Sequence, residues 1–213
     1  NYSERASRPK RRKPWLPMLP TPGDLVPRRR FGALEALGRL SLRISGWRIV
    51  GPMPNLPHAI AVVAPHSSNW DFVHGISAVL ALRLKVQFLA KHTLFRGMLG
   101  GIMRWLGGVP VNRADPQDLA ERVAESIRRT DNMWLGITPE GTRTAGRSFK
   151  SGFLRIARVS GVPIVPVSFN YRTRVIEFHP VFQPGDDPAA DLQALSNLLL
   201  TSGCRREHAR QPG

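Results

Sequence analysis

A chain of 213 residues can bury one sizeable core, so a single domain is the expectation. Its 31 Lys and Arg against 15 Asp and Glu leave a formal charge of +16, which points to a polyanionic partner: nucleic acid, an anionic bilayer surface or phosphorylated substrates. The one cysteine, Cys204, excludes an intrachain disulfide framework and a thiolate metal cluster, and a reducing, cytosolic compartment fits.

Residues 1 to 30 carry basic blocks at Arg5, Arg8, Lys10 to Lys13 and Arg28 to Arg30 among many prolines, and are expected to be irregular. No apolar region separates those blocks as a secretory signal would require. The uncharged run from Phe72 to Leu82 is well short of the roughly 20 residues a membrane span needs. Residues 31 to 203 read as the domain and 204 to 213 as a polar tail.

Phe31, Leu34, Leu37, Leu40 and Ile44 fall at helical spacing across Phe31 to Ile49, with Arg39 and Arg43 among them. This predicts either a helix lying at a lipid headgroup layer or a docking helix with a solvated arginine face. After a proline-rich turn from Gly51 to Pro57, the β-branched run Ala59 to Ala64 predicts a buried strand that stops at Pro65. Ser67, Ser68 or Asn69 can cap the apolar helix that follows to Leu84, with Asp71 in its first turn.

Val86 to Ala90 predicts a second strand ending at Lys91, and Thr93 to Leu106 a glycine-interrupted helix. Val109 to Arg113 is a short strand, Leu119 to Arg129 a charged crossover helix, and Met133 to Ile137 a third strand running into Thr138 to Thr144. Phe153 to Val159 reads as a helix stopped by Ser160 and Gly161. Val162 to Phe169 is a strand whose two prolines place it at an edge or against a ligand groove. Arg174 to Phe178 and Asp191 to Leu200 supply a last strand and a terminal helix.

This alternation predicts an α/β fold: one domain with a mixed, largely parallel β-sheet flanked by helices. Ligands gather at the carboxyl ends of such strands. His66, Lys91, Arg113 and Glu140 with Arg143 all directly follow predicted strands, so four strand ends aim polar groups at one rim. A neutral imidazole at His66 can take a proton, and a carboxylate at Asp71 would fix its tautomer and stabilise the imidazolium. Arg113 and Arg143 can fork onto phosphate oxygens, and Lys91 adds a point charge. Such a rim suits an acceptor with both a hydroxyl and a phosphate. Gly-x-Ser-x-Gly is absent, so direct transfer from a thioester is simpler than an acyl-enzyme route.

His66-Ser67-Ser68-Asn69-Trp70-Asp71 resembles the His-x4-Asp box of the glycerolipid acyltransferase family, which includes the lysophosphatidic acid and glycerol-3-phosphate acyltransferases. The family's later blocks follow in order: Gly107 to Arg113, Pro139-Glu140-Gly141-Thr142-Arg143-Thr144, and Val162-Pro163-Ile164-Val165-Pro166-Val167. The resemblance implies transfer of a fatty acyl group from acyl-CoA or acyl carrier protein to a lysophospholipid hydroxyl, with 1-acylglycerol-3-phosphate as the expected acceptor. It implies His66 as base and Asp71 as its partner, with Lys91, Arg113, Glu140, Gly141, Thr142 and Arg143 at the acceptor site. Val162, Pro163, Ile164 and Pro166 would then shape the acyl groove. No metal and no cofactor beyond the thioester co-substrate are implied, and a cytoplasmic enzyme on the inner face of the cell membrane is expected. A lyso-ornithine lipid or another lysolipid stays open as acceptor, as does hydrolysis of acyl-CoA. The reading from another class is a non-catalytic binder of nucleic acid or an anionic surface, although no nucleic-acid motif supports it.

Overall fold

The computed structural model describes residues 19–65, 69–111, 116–140 and 149–202. In chain order the elements are α1 (Ala33–Ser45), β1 (Arg48–Val50), β2 (His58–Ala64), α2 (Asn69–Leu82), β3 (Val86–Lys91), a 3-10 turn (His92–Phe95), α3 (Gly97–Trp105) and β4 (Gly108–Val111). There follow α4 (Pro116–Arg128), β5 (Met133–Ile137), α5 (Gly152–Ser160), β6 (Ile164–Asn170), β7 (Val175–Phe178) and α6 (Pro188–Ser202). Among the described residues seven strands form one sheet in the order β1-β7-β6-β2-β5-β3-β4. Every pairing is parallel except β6 with β7, so the α/β expectation of a mixed, largely parallel sheet holds.

The period-two alternation of the strands divides the core between two faces. Ile60 and Val62 of β2, Leu135 of β5 and Ile164 of β6 pack under α4, α5 and α6 through Ile127, Leu154, Leu195 and Leu199. Trp134, Val165, Val167, Phe169 and Ile176 face the other way, toward Leu42 of α1, Trp47, and Ala81 and Leu82 of α2. Each fully buried Leu or Ile contributes roughly 1.5–3 kcal/mol relative to exposure. Helix ends follow local chemistry. Gly46 and Gly161 take the left-handed conformation that closes α1 and α5, and Asp187 caps α6 by accepting from the N–H groups of Ala189 and Ala190.

Two expectations need correction. The helix read across Phe31 to Ile49 ends at Ser45, and Arg48–Val50 is a strand paired in parallel with β7. So short a strand is too brief for periodicity to reveal, and only Ile49 in it is buried. The second concerns only the edge alternative for β6, which is internal, with β2 on one side and β7 on the other. Pro166 is accommodated because β7 ends at Phe178. Just past that end the N–H of His179 donates to the Pro166 carbonyl at 2.9 Å, and the missing Pro166 N–H interrupts no bond within β7. Pro163 precedes the strand, and its carbonyl accepts from the N–H of Ile60 at 2.9 Å. Near the amino end, Val26 and Pro27 are buried and Arg28 makes an isolated bridge to Leu84.

Candidate active site

β2, β5, β3 and β4 are neighbours and mutually parallel, so their carboxyl ends share one rim. Asp71 reaches that rim in the first turn of α2, where the helix macrodipole favours a carboxylate. Lys91 is the last residue of β3, and Glu140 lies in the turn that leaves β5. The N–H of Lys150 donates to the Pro139 carbonyl at 2.9 Å, tying the start of α5 to that turn. His66, Arg113, Gly141, Thr142 and Arg143 lie outside the described residues, as do Ser67 and Ser68. Their nearest described neighbours, Pro65, Val111 and Glu140, all stand at the carboxyl ends of β2, β4 and β5.

Asp71 and Glu140 are 3% and 6% exposed, and neither is without a partner. A buried carboxylate survives only where hydrogen bonds or opposite charge repay its desolvation, so two of them on one rim mark a prepared polar site. One turn after Asp71, His74 is also buried, at 8% exposure. Its ring lies 4.6 Å from the Trp47 ring and 6.3 Å from the exposed Trp70 ring, tilted by 31° and 26°. Burial pushes its pKa below the ordinary value, and the Asp71 charge opposes that shift. The sequence reading does not single out His74. A histidine among apolar helical positions, three residues after the acid, is the signal that could have found it.

Beneath the rim lies a cavity of about 760 Å³, within the range of about 300–1,000 Å³ usual for small-molecule sites. It lies between part of α2 and the sheet. Asp71 and Thr138 line it at the rim, Trp134 and Val86 at the opposite end, and Gly75, Ile76 and Val79 on the α2 side. From Trp134 to Thr138 it runs about 13 Å along β5, at roughly 3.3 Å per residue. Glycines widen it: a Cβ at Gly75 would come 3.8 Å from the Phe169 ring, and one at Gly136 3.3 Å from Val86 Cγ1. Trp134 is fixed by its indole N–H, which donates to the Leu56 carbonyl at 2.9 Å.

Val162, Pro163, Ile164 and Pro166 do not line this cavity; Val167 and Phe169 do. Alternation explains the difference, because Ile164 points to the face covered by α5 and α6 while Val165, Val167 and Phe169 point to the other. Among the described residues no group of three or more His, Cys, Asp or Glu could hold a metal ion. No described helix is long and apolar enough to cross a membrane.

Fold and site together define a class of α/β protein with a polar sheet rim, buried acids on it, and an apolar slot that ends at one of those acids. The acyltransferase family model matches residues 50–170, and the chain belongs to that family. It is 34% identical to a probable 1-acyl-sn-glycerol-3-phosphate acyltransferase of Mycoplasma pneumoniae over 69% of this chain and 58% of that protein. It is 25% identical to the 1-acyl-sn-glycerol-3-phosphate acyltransferase of Borreliella burgdorferi, over 84% of this chain and 73% of the relative. The chain thus spans little more than half the length of the Mycoplasma relative. The crystal structure of the 1-acyl-sn-glycerophosphate acyltransferase PlsC from Thermotoga maritima shares the fold, with a TM-score of 0.61 at 20% identity, covering 79% of this chain and 76% of that one.

Proposed function

We infer that the protein transfers a fatty acyl group from an acyl thioester, acyl-CoA or acyl carrier protein, to the free hydroxyl of 1-acylglycerol-3-phosphate. The observation that carries this reading is the slot: an apolar space with Trp134 at one end and the buried acid Asp71 at the other. The names of the relatives supply the acceptor, and the excess of positive charge suits its phosphate.

In this mechanism the acyl chain lies in the slot with its thioester carbonyl at the rim. His66, oriented by Asp71, takes the proton of the acceptor hydroxyl as that oxygen attacks the carbonyl carbon. The tetrahedral intermediate then collapses, the carbon–sulfur bond breaks, and the imidazolium returns its proton to the departing thiolate. One ester forms for one thioester broken. Lys91, Arg113 and Arg143 hold the acceptor phosphate, while Glu140 and the following Gly141 and Thr142 order the loop around it. Because its acceptor lives in a bilayer, the enzyme works at the cytoplasmic surface of the membrane.

The test offers acyl-CoA and acyl carrier protein thioesters with a panel of phosphorylated and unphosphorylated lysolipids and follows products by mass spectrometry. Diacylglycerol phosphate is the expected product. Acylation confined to a lyso-ornithine lipid would move the acceptor, and free fatty acid released regardless of lysolipid would make the protein a thioesterase.

A further inference from the structure

A buried polar atom left without a hydrogen bond is costly, so native structures keep few of them. His74 Nδ1 is one: it is buried and, among the described residues, has no hydrogen-bond partner. The ring points away from the slot, whose α2 lining passes from Val73 to Gly75 without it. It lies instead against Trp47, which follows α1 and is itself held edge-on by Tyr171 at 5.0 Å and packed on Phe169 at 5.8 Å. Trp70, one turn earlier on α2, lies near-parallel to the same imidazole. A phenylalanine would fill this aromatic niche without stranding a nitrogen. Packing alone therefore does not account for an imidazole here.

The group that can make use of it is Asp71. Side chains three apart on a helix are neighbours, and the buried Asp71 charge is felt at His74. The other charged groups on the surrounding elements do not titrate with it. Arg39 and Arg43 of α1, Arg48 of β1, and Arg172 and Arg174 of the β6–β7 turn are exposed guanidiniums of fixed charge. Glu35, at the far end of α1, pairs with Arg83 at 3.4 Å, and Glu177 sits opposite Ser168, on the strand face turned away from α2. Tyr171 ionises only near pH 10. Both states of the ring are thus tenable: burial favours the neutral form, while Asp71 and the Trp47 face at 4.6 Å favour the imidazolium.

We propose that His74 is a positioning residue for acyl transfer: neutral, it leaves the Asp71 carboxylate to His66, and protonated, it takes that carboxylate as its own counter-ion, so that the base loses its orienter. The proton comes from solvent, and no bond of the substrates is touched. Acidification would then stop transfer at two places, one on His66 and one on the far side of the acid it depends on. This role rests on the reading of Asp71 as the orienter of His66.

The test follows transfer from acyl-CoA to 1-acylglycerol-3-phosphate between about pH 8 and 5 in the wild type, His74→Gln and His74→Phe, each scaled to its own alkaline rate. The phenylalanine variant keeps a ring in the stack and serves if the glutamine variant does not fold. At the acid end the wild type should fall at least about fivefold further below its own plateau than either variant. A ring that only packs would leave the acid limbs coincident, and coincident limbs would overturn the proposal. Nitrogen NMR of histidine-labelled protein reads the same pair without catalysis, the His74 signal being the one missing from the His74 variants. His74 should bind its proton at least about threefold more weakly in Asp71→Asn than in the wild type. Equal proton affinity in the two would overturn the proposal as well. A wild type with no transferase activity, whose His74 titration still responds to Asp71→Asn, would sink the acyltransferase reading and the positioning role with it. Normal transfer with coincident limbs would sink the positioning role alone.

Discussion

Asp71 and His74 sit one helical turn apart, both buried, in different surroundings. Asp71 stands at the amino end of α2 and lines the slot, and in the proposed mechanism it orients His66. Asp71→Asn keeps its shape and removes its charge, so transfer should fall on the order of 10² or more with thioester binding little changed. Single-turnover kinetics checks this, and a loss below about threefold would contradict it. His74 is pushed below its ordinary pKa of 6.5 by burial, so the unfolded chain binds that proton more readily than the folded one. Its contribution to stability is therefore present above the unfolded value and is lost as pH falls from about 6.5 toward the folded pKa. Denaturant unfolding between about pH 7.5 and 5.5 should show a smaller acid loss in His74→Gln than in the wild type. An identical pH dependence would place the acid sensitivity elsewhere.

At the scale of elements, glycines set two distances. A Cβ at Gly38 would meet Leu80 Cβ and the Ser77 carbonyl at 2.8 Å, so α1 and α2 touch backbone to backbone, an approach that the Ser77 to Ser41 hydroxyl bond at 2.9 Å spans. Gly38→Leu should destabilise by about 1–3 kcal/mol by prising the pair apart, as read from the denaturation midpoint. Gly75 has room, and a larger side chain there would project into the slot. Gly75→Leu should leave the fold intact and shift donor preference toward shorter acyl chains, measured by competition between thioesters of different length. An unchanged preference would remove the chain from the slot.

The elements also show where sequence reading works. Strands β2, β3 and β5 and helices α4 and α5 carry strong periodicity or clear stop signals, and they form within a few residues of expectation. β1 escapes such reading because its pairing partner, β7, lies more than a hundred residues away and only Ile49 is buried. The prolines of β6 suggest an edge or a ligand groove; the edge fails because a proline's missing N–H matters only where a partner needs it and the partner strand ends first, while Val167 and Phe169 do line the slot. The slot has no local signature either. Gly75 of α2 and Gly136 of β5 line it, the first near Phe169 of β6 and the second near Val86 of β3, a relation between distant positions that no local pattern records.

For the molecule as a whole, the convergence of strand ends is legible because topology follows from the alternation of elements, and parallel neighbours must share a carboxyl rim. Asp71, Lys91 and Glu140 occupy it as the strand order requires. Charge alone would favour a nucleic-acid binder; the buried acids and the apolar slot argue for a catalyst acting on a lipid. The most direct test of that account is acyl transfer from a long-chain thioester to 1-acylglycerol-3-phosphate by the wild type and by His66→Ala, with circular dichroism confirming that both are folded. The account predicts diacylglycerol phosphate from the wild type and a loss of at least about a thousandfold in the variant. Transfer at the wild-type rate by His66→Ala would contradict it.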